Sequence, residues 1–201
     1  MKAMVLKELG SLSGNRVPLE LATVPDPVAG ESEILVRVSR CGVCHTELDE
    51  IEGRTSPPSL PVVLGHQVIG KVEQAGSKVN LLKKGDRVGI GWIYSSCGCR
   101  FCLEGNENLC HQFRATGRDV NGGYAQYMTV PESAAFRIPD LFSDSEAAPL
   151  LCAGAIGYRS LRLTGLRDGQ NLGLTGFGAS AHLVLQMTRY RFPNSKVYVF
   201  A

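Results

Sequence analysis

The sequence predicts an α/β chain whose N-terminal part is rich in β-strand. Three observations carry that expectation. Up to about residue 140, short alternating apolar runs are punctuated by glycine and proline. From Phe142 the pattern turns helical. The last thirty or so residues then read strand, glycine-rich turn, helix, strand, which is the opening unit of a dinucleotide-binding fold.

The elements follow in order. A short strand covers 1–6. Over 33–41, Ile34, Val36 and Val38 alternate with Arg37 and Ser39, the period of a strand with one buried face. Further strands are expected at 68–75, 87–92 and 124–130. Pro25, Pro27, Gly30, Pro57-Pro58, Gly85-Asp86 and Gly122-Gly123 separate them. A short helix is expected at 45–51. Ser143-Asp144-Ser145-Glu146 has the spacing of a capping box, in which Ser and Glu satisfy amides at a helix start. The helix it opens runs to about Leu163 and is expected to break at Pro149. An apolar strand at 171–175 and a second buried strand at 196–201 flank a helix carrying Leu183, Val184 and Met187. A complete dinucleotide fold needs about six strands, and two are present.

Composition narrows the function classes. The chain has 201 residues, 44% of them hydrophobic, which suits one or two packed domains and excludes wholesale disorder. A net charge of +2 gives no field that favours nucleic acid or a membrane. The N-terminal apolar part is too short for a signal peptide. The near-apolar run at 147–158 is too short to span a bilayer and contains Pro149. A cytoplasmic protein is expected, and its seven cysteines then read as metal ligands, since cytosolic thiols stay reduced.

Three motifs carry chemistry. The first is Cys41-Gly42-Val43-Cys44-His45-Thr46-Glu47 followed by Gly65-His66-Gln67-Val68-Ile69-Gly70, where Cys44 and His66 are suitable zinc ligands. Cys41 reads as a small core residue. The second is Cys97-Gly98-Cys99-Arg100-Phe101-Cys102 with Cys110, four cysteines within fourteen residues, the composition of a closed structural zinc site. The third is the turn Gly176-Phe177-Gly178-Ala179-Ser180-Ala181. There Gly176 permits the tight bend and Gly178 lets backbone amides approach a pyrophosphate at the helix N-terminus.

These motifs, in this order, resemble the zinc-dependent alcohol dehydrogenases of the medium-chain dehydrogenase/reductase superfamily, bacterial and archaeal type. Trp92-Ile93-Tyr94-Ser95-Ser96-Cys97, Asn121-Gly122-Gly123-Tyr124-Ala125 and the run from Leu150 to Arg159 add to the likeness, as do Gly65, Gly70 and Gly76. The resemblance implies a GroES-like catalytic domain over 1–150 and the start of a Rossmann NAD(P)-binding domain over 151–201, cut after its second strand. It implies two zinc ions per chain and NAD or NADP as cofactor. The catalytic ion would be held by Cys44, His66 and Cys152, the Cys₂His set of alcohol dehydrogenases, and the structural ion by Cys97, Cys99, Cys102 and Cys110. Thr46 would bond the substrate oxygen and start a proton relay, or cap the helix, or do both. His45 would lie near the cofactor pyrophosphate or stand as a solvated loop histidine. Gly176, Phe177, Gly178, Ala179 and Ala181 would receive the cofactor. Trp92 would line the substrate pocket or pack as core. The implied reaction interconverts a small alcohol with an aldehyde or ketone. Zinc serves as Lewis acid on the substrate oxygen, and hydride passes to or from the nicotinamide. A homo-oligomer, dimer or tetramer, is also implied.

Three departures stand out. Gln67 occupies the place of a family glutamate near the zinc, so a charge is lost. Asp49 stands where some members carry a relay histidine. The first cysteine loop is one residue short, C-x₁-C against the family's C-x₂-C, so the site is either strained or loses Cys97. The residue that selects between NAD and NADP would fall at about Ala201 or beyond. Two other classes compete with the enzyme: a zinc-binding relative without dehydrogenase activity, and a four-cysteine nucleic-acid module. The near-neutral charge and the lack of a basic stripe speak against the latter.

Overall fold

The structure is a computed structural model and describes residues 1–13, 17–95 and 97–200. Ser96, next to Cys97, and Ala201, at the end of the last expected strand and at the expected cofactor-selecting position, lie outside the described residues. The strands are β1 (Lys2–Leu6), β2 (Leu19–Thr23), β3 (Glu33–Gly42), β4 (Val62–Val63), β5 (Gln67–Ala75), β6 (Arg87–Ile90), β7 (Ile93–Tyr94), β8 (Arg114–Ala115), β9 (Tyr127–Pro131), β10 (Ala135–Arg137), β11 (Asn171–Thr175) and β12 (Lys196–Phe200). The helices are α1 (His45–Ile51), α2 (Arg100–Leu103), α3 (Asp144–Ala147), α4 (Ala153–Leu163) and α5 (Ala179–Arg191). The chain divides into two compact units, Met1–Ala148 and Pro149–Ala201.

The first unit is organised on a five-stranded antiparallel sheet in the order β10-β6-β5-β3-β9. Its middle strand is β5, and beside it runs the long strand β3, whose alternation works as expected: Ile34 and Val36 are buried while Arg37 and Ser39 face solvent. Two register shifts against β5, at Leu35/Val36 and Val38/Arg40, bend the long strand. Ile34, Val36, Val68, Val72, Val88, Ile90, Met128 and Val130 fill the core on one side. A three-stranded sheet, β2-β1-β4, packs its own smaller clusters around Leu6, Leu64 and Val63.

Two expected strands come out differently. The strand expected at 87–92 stops at Ile90, because Ile93 and Tyr94 leave the large sheet and pair with β8. The strand expected at 124–130 is divided between two sheets. Tyr124 accepts the amide of Met4 at 2.8 Å and Ala125 bridges Ala3, so only Tyr127 onward belongs to the large sheet as β9. Strands β2, β4, β7, β8 and β10 are too short or too weakly patterned to read from sequence.

In the second unit α4 and α5 pack together, and Leu161, Leu172 and Val184 form a small core. The Ser143–Glu146 capping box forms, with Glu146 N bonded to Ser143 Oγ at 3.3 Å. The helix gives way to a 3₁₀ turn at Ala148–Leu151, around Pro149, before α4 begins. Strands β11 and β12 are parallel, as a β-α-β unit requires. The expectation that the last strand is buried is not met: Tyr198, Val199 and Phe200 are exposed, and among the described residues β12 pairs with β11 alone. Among the described residues, no helix is long and apolar enough to cross a membrane.

Replacing Ile34 by Ala should lower the unfolding free energy by about 2–5 kcal/mol, while Leu21→Ala, at an exposed position on β2, should change it by under about 0.5 kcal/mol. Urea denaturation of the two variants measures both. Equal costs would show that Ile34 of β3 is not part of the core.

Candidate functional site

Strand β3 ends at Gly42 and helix α1 begins three residues later, with Cys44 as its N-cap residue. Glu47, at the third helical position, turns back so that its Oε2 accepts the Cys44 amide at 2.7 Å. This satisfies one of the amides that a helix start leaves without a partner. The other oxygen of the same carboxylate, Oε1, lies 2.7 Å from Nδ1 of His66. That contact is a close approach outside hydrogen-bond angles, and among the described residues neither ring nitrogen of His66 has a hydrogen-bond partner. Glu47 and His66 are 2% and 0% exposed. A ligating Cys Sγ and a His ring nitrogen are brought within 4.8 Å of each other in this way. The arrangement fits a zinc ion, for which a buried imidazole nitrogen without a partner and a thiol are suitable donors.

His66 is placed by Gly65, between β4 and β5. Gly65 has φ +97°, a conformation that favours glycine, and an added Cβ would lie 2.6 Å from the Tyr124 ring and 2.8 Å from Cys41 Sγ. Gln67, buried, starts β5 opposite Gly42, and its Oε1 fills the space a Cβ at Gly42 would need. Trp92 stacks obliquely on His66, centroids 5.4 Å apart. Cys41 packs against the core, and burial pushes its thiol up to about 12, so it is inert at neutral pH.

Thr46 is not the helix cap; it is the second helical residue, and its Oγ1 receives the Cys44 thiol at 3.5 Å. His45 stands in solvent, with Nε2 3.8 Å from Asp49. Asp49 is held by Arg54 Nε at 2.5 Å. Cys152 is the N-cap residue of α4, in the second unit.

Sequence reading missed Glu47 and Glu50. The S/T-x-x-E form of the capping box is written here as Cys-x-x-Glu, which hid Glu47. Glu50, one turn on, is 1% exposed, and neither of its oxygens has a hydrogen-bond partner among the described residues. Burial, with Glu47, Asp119 and Asp49 adding repulsion and Arg118 opposing, pushes its carboxyl up to about 8.

The four remaining site cysteines converge. Sγ of Cys97 is 3.0 Å from Cys110 and 3.6 Å from Cys102, while Cys99 is 3.6 Å from Cys102 and 3.7 Å from Cys110. All four sulfurs lie within 4.8 Å of one another. Zinc–sulfur bonds of about 2.3 Å set tetrahedral edges of about 3.8 Å, so the donor set fits one ion and the shortened loop keeps Cys97 in the cluster. None of the seven cysteines is in a disulfide.

In the second unit Gly176 has φ +79° and Gly178 is the N-cap of α5. A Cβ at either would meet nothing within 4 Å, which leaves room for a ligand over the backbone. Phe177 is half exposed and meets His182 edge-on at 5.9 Å. Ala179, Ser180 and Ala181 form the first turn of α5, where helix amides point outward.

With this geometry in hand, the Alcohol dehydrogenase GroES-like domain family matches residues 30–140, over half of the chain. The chain belongs to the zinc-type medium-chain alcohol dehydrogenase family. A probable alcohol dehydrogenase, AdhA, of Mycobacterium tuberculosis is 49% identical over 176 residues, covering 85% of this chain and 51% of the relative. An alcohol dehydrogenase of Geobacillus stearothermophilus is 40% identical over 94% of this chain and 55% of its own length. The solved cobalt- and zinc-bound thermostable alcohol dehydrogenase of Pyrobaculum aerophilum superposes with a TM-score of 0.90 at 25% identity, covering 100% of this chain and 59% of that one. The chain thus spans about half the length of the curated relatives it matches. A GroES-like domain followed by the start of a Rossmann fold is the fold class.

The Glu50 carboxyl sets a pH dependence. Its folded value lies above its ordinary 4.5, so the folded state holds the proton more firmly. The stabilisation is complete below about pH 4.5 and is lost as pH rises through about 8. Melting temperatures recorded from pH 5 to 8.5 should therefore fall more steeply for the parent chain than for Glu50→Gln, which has no such proton to lose. Parallel curves would show that Glu50 is ionised throughout.

Proposed function

We propose that this chain carries the metal-binding part, and the first part of the cofactor-binding fold, of a zinc-dependent, NAD(P)-linked oxidoreductase. Its reaction interconverts an alcohol with an aldehyde or ketone. The observation that supports this best is the pairing of half-buried Cys44 with buried His66, both held by one carboxylate. With Nδ1 against the Glu47 carboxylate, Nε2 is the ring nitrogen left to a metal. Cys44, His66 and Cys152 would hold a catalytic zinc, and Cys97, Cys99, Cys102 and Cys110 a structural one. When bound, zinc would supply Lewis acidity to the substrate oxygen, and the nicotinamide would exchange hydride with the carbinol carbon.

The chain's own residues do the rest. Thr46 Oγ1, next to Cys44, would accept the hydrogen bond of the substrate hydroxyl and take its proton while giving its own to the next acceptor. Asp49 is occupied by Arg54, so the proton passes from Thr46 to water rather than through Asp49. Gln67 holds the shape of an acidic side chain without its charge, leaving the metal centre one negative charge poorer. Trp92 covers His66 and keeps that side of the ring dry. Gly176, Phe177, Gly178, Ala179 and Ala181 would receive the pyrophosphate at the start of α5, and His45, by the family resemblance, would lie near it. The alcohol dehydrogenase names of the relatives support the same reading.

Elemental analysis of the purified chain should give about two zinc ions, and NADH or NADPH should quench Trp92 fluorescence to saturation. Cys44→Ser should leave one zinc and lower alcohol-dependent kcat/KM at least about 100-fold, close to 2.7 kcal/mol of transition-state stabilisation. Full zinc and full turnover in that variant would overturn the ligand assignment. Zinc without any cofactor binding or turnover would favour a metal-binding relative that is not a dehydrogenase.

Separately, Thr46→Ala should lower kcat by about 100-fold or more while keeping both zinc ions, and Thr46→Ser should recover most of it. An unchanged kcat in Thr46→Ala would remove Thr46 from the proton path.

A further inference from the structure

Ser95 is none of the candidate metal ligands, yet its hydroxyl sits inside the four-cysteine cluster. Ser95 Oγ accepts the backbone amide of Cys97 at 3.3 Å. It lies 3.1 Å from Cys110 Sγ and 3.3 Å from Cys102 Sγ. Cys110 is the most enclosed of the four cysteines, 2% exposed, and its sulfur also receives the Gln112 amide at 3.2 Å. A serine hydroxyl has one proton to give. With the Cys97 amide already donating to Oγ, and the cysteines ionised as a metal would require, that proton points to a thiolate, and Cys110 at 3.1 Å is the nearer one.

We propose that Ser95 is a positioning residue of the four-thiolate zinc site, tying the first ligand to the last. The proposal rests on the reading of these cysteines as a zinc site. Its physical basis is the shortened loop. Between Cys97 and Cys99 there is a single residue, Gly98, so the backbone has little freedom with which to set the angle of Cys97. A bridge from the Cys97 amide through Ser95 Oγ to Cys110 Sγ fixes both ends of the cluster, thirteen residues apart, from a side chain outside the ligand set. The same hydrogen bond stabilises negative charge on Cys110, which a site of four thiolates around a divalent ion has in excess.

The test follows zinc release to a chromophoric chelator. It is run on the whole chain carrying Cys44→Ser, so that only the four-cysteine ion is counted, with Ser95→Ala and Ser95→Thr added in turn. The Cys44→Ser parent should hold about one zinc. Ser95→Ala should release it about 10–100 times faster, the loss of affinity typical when a hydrogen bond to a metal ligand is removed being carried by the off-rate. Ser95→Thr, which keeps the hydroxyl, should release at the parent's rate. Cobalt substituted into the site should shift its visible thiolate bands in Ser95→Ala and not in Ser95→Thr, a change that general loosening of the loop would not reproduce. Equal release rates and spectra in all three chains would overturn the role of Ser95 while leaving the zinc site standing. Release from Ser95→Thr as fast as from Ser95→Ala would overturn it as well. A parent that holds no zinc would overturn the four-cysteine reading itself, and the inference with it.

Discussion

The Glu47 carboxylate holds two distant parts of the sequence in one site. One oxygen caps the start of α1 at Cys44, and the other meets the His66 ring at the beginning of β5. Cys44 and His66 are twenty-two residues apart in sequence, and the pairing of β3 with β5 brings their backbones side by side. The pairing alone would leave the imidazole free to turn. The Glu47 carboxylate lies against Nδ1 and leaves Nε2 on the other side of the ring, and both side chains are buried.

The large sheet exists to make this placement reproducible. Its core residues on β3, β5, β6 and β9 are fully buried, and the Gly42–Gln67 register sits at the end of the same ladder. Arg87 adds a second tie: Nε bonds Asp144 at 2.7 Å, and its two terminal nitrogens reach the carbonyls of Pro139 and Phe142. The segment leading into α3 is thereby fixed to β6. Asp144 also receives Ser39 of β3, so α3 starts against the strand that carries Cys41 and Gly42.

Much of the site was legible because its chemistry is written in residue type and spacing. Cys44, His66, the four-cysteine run and Gly176-x-Gly178 each announce a donor set or a backbone freedom without reference to distant residues. Glu47 and Ser95 were not legible. Glu47 stands in a capping box whose first residue is a cysteine rather than a serine or threonine, and Ser95 matters only because the loop folds its hydroxyl onto Cys110. Glu50 is harder still. The middle one of three glutamates in the acidic stretch from Glu47 to Glu52 reads as a solvated face, yet it is buried.

The sequence by itself determined the local elements: the alternation of β3, the helix after Cys44, the break at Pro149 and the β-turn-α-β order of the second unit. Period and punctuation depend only on neighbours along the chain, so they can be read without the fold. Tertiary structure decided which sheet each short strand joins, as with residues 124–130, divided between β1 and β3, and Ile93, which leaves β6 for β8. It also decided which polar groups are buried together, as with Glu47 and His66. Those outcomes depend on pairing and desolvation across long sequence separations, and no local pattern encodes either.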